Sequence, residues 1–349
     1  MLKIHEKNCV PIIQSTSKAI SVMSREVSVT TGSRLHWGLL SLAPATGREF
    51  GGIGLMVDEP SLMLSARLSS TGQDTIICSE GCYSKVAAAI DAARRSLAGP
   101  LRERFFSVEL HSEIPLHCGF GSGTQLSLAV AKAISVLSGE PALSSVELAQ
   151  RVQRGARSAL GVHGFDSGGF LVEGGKRDPA EISPLVMHAD FPEDWKILLI
   201  TPVNQAGISG ILEADAIQQL GPMPVAVTEK LCRLVLMQLM PAVLTRDFAG
   251  FSSGLTEFGH IVGEFFSPAQ GGIFAHPRMV ELEKLLISKG IQGIAQTSWG
   301  PTLSVVCPSS DNAEKVSSTI LQNGYGELCS LRTVNPLNHG ARIQSSDGA

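Results

Sequence analysis

The sequence predicts an α+β fold, because segments typical of strands and helices follow one another without regular β-α-β alternation. Two further observations divide the chain. Its 349 residues suit two domains better than one. A charged, proline-containing segment over 173–194 separates two blocks of apolar segments, and neither block shows a repeat period. We therefore expect a loose N-terminal tail over 1–25, an N-terminal domain over 26–190 and a C-terminal domain over 191–349.

The first block is expected to contain four strands and three helices. Alternating apolar residues between Leu62 and Leu68 indicate a half-buried strand. Apolar residues at helical spacing continue as far as Leu137, and Gly139 ends that helix. Ser144 and Glu147 form a capping box, which predicts the start of the third helix. The other bounds are strands over 27–31, 62–68, 105–111 and 168–172 and helices over 83–97 and 125–137.

The second block opens with an apolar segment that is typical of a buried strand. Several amphipathic segments follow it, and short β-rich segments come near the end of the chain. The expected strands cover 195–201, 293–297, 303–307 and 328–333, and the expected helices cover 211–220, 225–239, 244–264, 279–288 and 311–322.

Composition excludes several classes of function. The net charge is -4 and no charged block stands out, so we expect no nucleic-acid partner. No apolar run reaches the ~18 residues of a membrane span. The first 25 residues are polar and mixed and have no signal-peptide core. The seven cysteines are scattered and match no common zinc spacing. Reduced thiols in a cytoplasmic protein are the expectation.

The most informative segment is 119–125, Gly-Phe-Gly-Ser-Gly-Thr-Gln, which lies between an expected strand and an expected helix. Glycines allow a ligand to approach the backbone closely, and a helix N-terminus attracts anions. The hydroxyls of Ser122 and Thr124 add hydrogen-bond donors. The segment is neither a Walker loop nor a dinucleotide fingerprint. A phosphate-binding loop and a plain turn before a helix both fit this pattern.

Five other polar or glycine-rich segments are expected to be loops or strand ends, and together they favour a site because loops on a rigid scaffold often carry function. They cover 33–36, 51–54, 164–169, 268–272 and 298–301. Asp166, among glycines, fits a magnesium ligand, a base, an acceptor for a sugar hydroxyl or a simple turn residue. Arg154 and Arg157, expected on a helix, fit either a phosphate clamp or a solvated surface.

The order of these segments resembles the GHMP kinase superfamily, named after the galacto-, homoserine, mevalonate and phosphomevalonate kinases. A closer resemblance is to a divergent branch of it, the β-ribofuranosylaminobenzene phosphate synthases. Its members are similar to this chain over nearly all residues after 25. Two motifs are not general kinase features, namely Gly-Ser-Gly-Thr-Gln over 121–125 and Ser-Trp-Gly-Pro-Thr over 298–302. The other shared segments are Ser-Arg-Leu-His over 33–36, Gly-Gly-Ile-Gly-Leu over 51–55, 164–170 and 268–272.

This resemblance implies a two-domain fold, with an N-terminal domain like domain 2 of ribosomal protein S5 and a C-terminal ferredoxin-like α/β sandwich. It also implies a reaction. Phosphoribosyl pyrophosphate and 4-aminobenzoate are joined with loss of carbon dioxide and pyrophosphate, in tetrahydromethanopterin biosynthesis. Magnesium is expected and no organic cofactor. A homodimer is expected. The alternative is a small-molecule kinase of the same superfamily, and ATP enters only under that alternative.

The resemblance and the loop chemistry together select the candidate site residues. We expect Arg34 and His36 to line the cleft as catalytic residues, and Asp166 to act on magnesium or a ribose hydroxyl. The residues expected to bind the anionic donor are Gly119, Gly121, Ser122, Gly123, Thr124, Gln125, Arg157, Gln270, Gly271, Ser298, Trp299 and Gly300.

Overall fold

A computed structural model describes residues 26–203, 207, 215–216 and 218–346. The expected tail over 1–25 and most of the expected helix over 211–220 lie outside the described residues. The rest of the chain folds into two sheets covered by helices, which confirms the α+β class. None of the helices in the described ranges combines the length and the apolar character that a membrane crossing demands.

The first sheet has seven strands, in the order β11-β1-β2-β4-β3, with β5 paired to β2 and β6 to β5. Its central pair consists of two long antiparallel strands, β1 and β2. The strands are β1 (Glu26–Ser41), β2 (Phe50–Leu68), β3 (Thr75–Ile77), β4 (Phe106–Ser112), β5 (Phe170–Glu173), β6 (Leu185–Ala189) and β11 (Arg342–Ser346).

The second sheet is antiparallel, with four strands in the order β10-β7-β9-β8. It lies next to a buried apolar cluster that includes Leu198, Leu282 and Ile320. Its strands are β7 (Lys196–Pro202), β8 (Ile294–Gln296), β9 (Leu303–Cys307) and β10 (Cys329–Val334).

Helices precede and follow these strands. The capping box of Ser144 and Glu147 is present at the start of the third helix, as predicted. The helices are α1 (Glu80–Ser96), α2 (Ser122–Leu137), α3 (Ser145–Arg151), α4 (Leu160–Ser167), α5 (Val225–Leu234), α6 (Met240–Thr245), α7 (Phe248–Gln270), α8 (Pro277–Ser288) and α9 (Ser310–Gln322), with a 3-10 turn over Gly99–Glu103 and a π-helical turn over Val235–Leu239.

A buried aromatic cluster joins the two halves of the molecule. Phe251 of α7 packs against Trp37 of β1 at 6.0 Å, and against Phe191 at 5.2 Å between ring centroids. The Trp37 indole also donates a hydrogen bond of 2.9 Å to Ser304 Oγ in β9. Large aromatic side chains dominate core energetics, so this cluster holds the two sheets in a fixed relation.

The glycine-dense segment 51–54, expected as a loop, lies inside β2 instead. A Cβ at Gly52 would come within 2.6 Å of the Gly38 carbonyl oxygen, and one at Gly54 within 2.3 Å of the Leu35 carbonyl oxygen. These glycines therefore allow β1 and β2 to approach each other closely. In the sequence alone, glycines with this role cannot be distinguished from glycines in a loop. Arg34 and His36 consequently lie in the interior of β1 and not at a strand end.

The predicted domain boundary after residue 190 falls between β6 and β7, where the chain passes from the first sheet to the second. One strand departs from the predicted division. β11, inside the range 191–349, pairs with β1 in the first sheet, with Ile343 opposite Val29. The end of the chain thus completes the N-terminal sheet.

Candidate active site

A cavity of about 530 Å³ lies between the two halves of the molecule, within the range usual for small-ligand sites. We call its two sides the N-terminal wall and the C-terminal wall. The N-terminal wall is formed by residues in 34–39, 85, 116–124 and 153–158, and the C-terminal wall by residues in 259–300.

The glycine loop and the start of α2 form the centre of the N-terminal wall. Gly121 caps the helix in the left-handed conformation, with φ of 71°. Its carbonyl oxygen accepts hydrogen bonds from the N–H groups of Thr124 and Gln125, at 3.0 and 3.2 Å. The N–H groups at the start of a helix have no acceptor within the helix itself, and there they favour anions. Ser122 and Thr124 line the same part of the cavity.

The walls are joined at Thr297. Its hydroxyl donates to the Gly119 carbonyl oxygen at 2.8 Å and accepts from the His36 N–H at 3.0 Å. A Cβ on Gly119, which has φ of 85°, would come within 2.3 Å of the Thr297 carbonyl oxygen. Ser298 donates its N–H to the His36 carbonyl oxygen at 2.6 Å. The glycine loop is therefore pinned against β1 and the C-terminal wall.

Two guanidinium groups lie directly against the glycines. A Cβ on Gly121 would be 3.3 Å from Arg34 Nε, and one on Gly123 would be 3.6 Å from an Arg154 terminal nitrogen. At Gly121 a side chain would crowd Arg34, whereas at Gly123 it would reach only ordinary contact distance from Arg154. Burial lowers the pKa of Arg154, although it remains a cation at neutral pH. Arg157 also lines the cavity.

Arg154 and Arg157 lie in the loop between α3 and α4 and not on a helix as expected. This loop is held by a buried carboxylate, Glu173 of β5. Glu173 accepts hydrogen bonds from the Ser158 hydroxyl and the Ala159 N–H, each at 2.6 Å. Burial raises the pKa of Glu173, and the bonds to Ser158 and Ala159 oppose this effect. Glu173 thus positions the arginine loop from behind the cavity.

Charge is distributed unevenly around the cavity. Among the lining residues that the structure describes, the N-terminal wall carries Arg34, Lys85, Arg154 and Arg157, and neither wall carries a carboxylate. The described part of the chain also contains no cluster of three or more His, Cys, Asp or Glu side chains that could hold a metal ion. A wall with four cationic side chains and no described carboxylate attracts anionic ligands.

His36 lines the cavity and is 6% exposed. Burial, together with the positive charge of Arg34, lowers the pKa of His36 to about 3. The imidazole is therefore neutral at physiological pH and adds no charge to the N-terminal wall. A neutral ring can still donate or accept a hydrogen bond.

The C-terminal wall is apolar, with amide groups at one side. Phe266 of α7 packs edge-to-face on Trp299, with 5.1 Å between ring centroids, and Val262 continues the apolar surface. Gln270 and Gln296 line the cavity beside these rings. Val262, Phe266 and Gln296 were not expected as site residues. The two apolar ones lie on the apolar face of α7, where they resemble ordinary core residues in sequence.

Most of the expected site residues lie together in the cavity, and three do not. Gln125 is fully buried behind the loop, where it accepts from the Thr31 hydroxyl at 2.7 Å and donates to the Gly161 carbonyl oxygen at 2.8 Å. Gly271 caps the C-terminus of α7 outside the lining. The third is Asp166. The residues that do line the cavity are Arg34, His36, Gly119, Gly121, Ser122, Gly123, Thr124, Arg157, Gln270, Ser298, Trp299 and Gly300.

Asp166 was expected in a loop at the site, but it lies in α4, is exposed and is not part of the cavity lining. Its carboxylate accepts a 2.8 Å hydrogen bond from the Ser145 N–H, at the start of α3. A carboxylate there interacts favourably with the helix N-terminus. The structure therefore assigns Asp166 to helix capping, and we correct both its catalytic and its magnesium role.

Comparisons with known proteins agree with this geometry. The family profile for the GHMP kinases N terminal domain matches residues 84–174. Among solved structures, homoserine kinase from Cytophaga hutchinsonii superposes with a TM-score of 0.63, at 16% identity, over 91% of this chain and 97% of that one. Mevalonate diphosphate decarboxylase from Staphylococcus aureus gives a TM-score of 0.63, at 11% identity, over 92% and 98% of the two chains. These likenesses establish the GHMP fold.

Relatives with curated names identify one family within this fold. The β-ribofuranosylphenol 5'-phosphate synthase of Methanothermobacter thermautotrophicus is 33% identical over 296 residues, which cover 80% of this chain and 88% of the relative. The protein of the same name from Methanocaldococcus jannaschii is 31% identical over 266 residues, or 68% and 75% of the two chains. On this similarity and its fold, the chain belongs to the β-ribofuranosylphenol 5'-phosphate synthase family of enzymes.

Proposed function

We propose that this enzyme joins phosphoribosyl pyrophosphate to a para-substituted benzoate, releasing carbon dioxide and pyrophosphate and leaving a ribosylated aromatic ring. The sequence resemblance points to 4-aminobenzoate as acceptor, whereas the relatives' name specifies a phenol product. Both acceptors carry an electron-releasing group opposite the carboxylate. The proposal therefore covers both at this stage.

The observation that carries the proposal is the uneven charge of the cavity. A donor with a 5-phosphate and a pyrophosphate needs several cations and N–H donors, and the N-terminal wall supplies them through Arg34, Arg154, Arg157 and the start of α2. An uncharged aromatic ring needs an apolar surface, which Val262, Phe266 and Trp299 supply on the C-terminal wall. The two substrates would thus meet between the walls.

The chemistry matches a cavity whose described lining residues include no carboxylate. The benzoate ring carbon that bears the carboxylate attacks the anomeric carbon, and the bond to pyrophosphate breaks with its electron pair leaving on the pyrophosphate oxygen. The bond to the carboxylate then breaks, carbon dioxide departs and the electron pair restores the aromatic ring. The attacking carbon carries no proton, so no general base is required there. The cations stabilise the charge that develops on the leaving group.

The arginines also orient the donor. A kinase differs in one respect, since its acceptor hydroxyl must lose a proton during phosphoryl transfer. The described lining offers no carboxylate for that task, and His36 is a weak base with its pKa of about 3. The synthase reaction is therefore the better match.

The cavity residues that the structure describes do not fit a magnesium ion held by the protein. Magnesium is usually bound through one or two carboxylates together with substrate phosphates. The described lining residues provide hydroxyls and amides but no carboxylate. We therefore derive no step through a metal. Magnesium remains part of the proposal only as an ion carried by the oxygens of the donor's diphosphate.

The test is incubation of the purified protein with phosphoribosyl pyrophosphate and each benzoate, with and without magnesium, followed by mass analysis of the product. We expect a ribosylated aromatic phosphate that has lost the carboxylate, together with pyrophosphate and carbon dioxide in equal amounts. A parallel incubation supplies ATP in place of the ribosyl donor. Release of ADP there, with no product from the ribosyl donor, would favour the kinase alternative. A homodimer, a cytoplasmic location and a place in tetrahydromethanopterin biosynthesis remain predictions of the resemblance.

A further inference from the structure

The C-terminal wall contains a pair of glutamine side chains that bond to each other, Gln270 at the end of α7 and Gln296 at the end of β8. Gln296 Nε2 donates to Gln270 Oε1 at 3.1 Å and also to the Ser298 carbonyl oxygen at 3.1 Å. Gln296 Oε1 accepts from the Ala275 N–H at 2.8 Å. Gln270 Nε2 donates to the Ile273 carbonyl oxygen at 2.7 Å. Both side chains reach the cavity.

Backbone groups at both ends of this chain of bonds determine how the two amides are oriented. The Ala275 N–H can only donate, so the Gln296 oxygen must face it. The Gln296 nitrogen then faces Gln270 and requires an oxygen there. The Ile273 carbonyl oxygen can only accept, which independently places the Gln270 nitrogen on the opposite side. The donor and acceptor of Gln270 are therefore fixed in direction.

Gly300 leaves room for the Gln296 side chain. It has φ of +64°, and a Cβ there would come within 2.8 Å of the Gln296 amide carbon. The neighbouring Trp299 is 8% exposed and packs on Phe266, and both rings line the same cavity as the two amides. The Gln296 side chain makes three hydrogen bonds, to Ala275, Gln270 and Ser298. An amide fixed in this way holds its partner Gln270 ready to recognise a ligand.

Gln270 retains hydrogen-bonding capacity on the cavity side. An amide has two N–H donors and two acceptor lone pairs on its oxygen. Within the described residues, Gln270 uses one donor on Ile273 and one lone pair on Gln296. One N–H and one lone pair are left for a ligand. A single hydroxyl can satisfy both, since it donates one bond and accepts another.

We propose that Gln270, oriented by Gln296, recognises the para substituent of the aromatic acceptor and favours a phenolic hydroxyl over an amine. This inference rests on the proposed function. The carbon that attacks the donor, and its carboxylate, lie towards the cationic wall, so the para substituent points the opposite way, towards the C-terminal wall, whose described lining residues carry no charge. An aromatic amine donates well but accepts poorly, because its lone pair is delocalised into the ring. It would leave the Gln270 N–H unsatisfied.

The experiment compares Michaelis constants for 4-hydroxybenzoate and 4-aminobenzoate at saturating donor. Where a benzoate is not turned over, its inhibition constant takes the place of the Michaelis constant. We expect the wild-type enzyme to favour the hydroxyl compound by about tenfold, the factor that one hydrogen bond supplies. Gln270→Met keeps the length of the side chain and removes both polar groups. The ratio of the two constants should then fall to about one, whereas the Michaelis constant for the donor should stay the same.

Two further variants separate recognition from structure. Gln296→Met leaves Gln270 present but no longer oriented, so the ratio should fall part of the way. Gln292→Met, at an exposed position on the loop before β8, should keep the wild-type ratio. Comparing the ratio of one enzyme with that of another cancels the intrinsic difference in electron release between the two benzoates, because that difference is the same in every variant.

Each outcome decides between the two proposals. A wild-type enzyme that converts neither benzoate overturns the proposed function and this inference with it. A wild-type enzyme that converts benzoates with equal constants, or a Gln270→Met variant with an unchanged ratio, overturns the recognition role and leaves the synthase function standing.

Discussion

Arg34 combines a fixed backbone with a guanidinium that lies on a glycine. Its N–H donates to the Phe120 carbonyl oxygen at 2.9 Å, and its side chain lies against Gly121. Strand β1 and the glycine loop are thus held in register at the point where a donor anion would bind. Binding an anion through two hydrogen bonds requires the planar guanidinium of arginine, because lysine carries a single charged nitrogen.

The first prediction concerns Arg34→Lys. We expect the Michaelis constant of one anionic substrate to rise by about tenfold or more, because a charge-assisted bidentate contact is lost, and that of the other to change much less. Steady-state kinetics with each substrate varied in turn measures this. Arg67→Lys, at an exposed position of β2, is the matched control. Small and equal effects on both substrates would show that Arg34 is merely structural.

The second prediction concerns the pH dependence that His36 gives to stability. Its pKa is about 3 in the folded protein, well below the 6.5 of an exposed histidine side chain. Between these values the unfolded chain binds a proton that the folded chain excludes. Stability is therefore fully present above about pH 6.5 and decreases as the pH falls towards 3. In His36→Asn this contribution should disappear, so the wild-type and variant unfolding free energies should converge towards low pH.

Chemical denaturation at pH 7.5, 6 and 4.5 measures that difference. The His36 ring carbons should also keep one chemical shift between pH 8 and pH 5 in the nuclear magnetic resonance spectrum. A titration of that ring near pH 6.5 would contradict the burial described above.

At the scale of elements, the start of α2 illustrates how a helix end becomes a binding surface. Gly121 and Gly139 flank the same helix, and both have positive φ, of 71° and 70°. They differ in their surroundings. A Cβ on Gly121 meets the Arg34 side chain, whereas one on Gly139 meets nothing within 4 Å. A substitution at either glycine strains the backbone, but only a substitution at Gly121 also reaches the cavity. Comparing the two therefore separates the effect of strain from the effect on the cavity.

The third prediction compares Gly121→Val with Gly139→Val. Both should lose stability by about 1–3 kcal/mol, because a β-branched residue is strained at positive φ. Only Gly121→Val should lose activity, by about a hundredfold, since it displaces Arg34 and blocks the helix start. Thermal unfolding and kcat/KM are measured together. Equal activity in the two folded variants would exclude the start of α2 as the donor site.

The fourth prediction concerns the contact between α4 and α3. Asp166→Asn keeps an oxygen near the Ser145 N–H and removes the charge at the helix start. We expect a loss of about 0.5 kcal/mol in the free energy of unfolding and no change in kcat, Michaelis constants or dependence on magnesium. A variant with normal stability and weakened donor binding would return Asp166 to the site.

At the scale of the whole molecule, elements with strong local signals could be predicted and contacts between distant segments could not. The capping box at Ser144 and the stripe of α2 are local patterns, and both helices are present. β11 carries no such signal, since all five of its residues are exposed and its partner lies over 300 residues earlier. A strand of this kind exists only because another strand offers it an edge.

The same distinction applies to the site. The glycine loop, Arg34 and His36 were predicted because their residue types carry chemistry by themselves. Asp166 was misassigned because a carboxylate among glycines is typical both of metal sites and of capping turns. The hydrogen bond between the two glutamines could not be predicted, because it forms only when the fold brings Gln270 of α7 next to Gln296 of β8.

The pairing of β11 with β1 also affects how the protein is made. β1 leaves the ribosome among the first described residues and β11 among the last, with about 300 residues synthesised between them. At a synthesis rate of about 5–20 residues per second, the outer edge of β1 waits roughly 15–60 s for its partner. During that interval, residues 26–30 present unpaired N–H and carbonyl groups, which is the form in which sheets recruit other chains. This edge is therefore where a ribosome-bound chaperone would protect the nascent enzyme from aggregation.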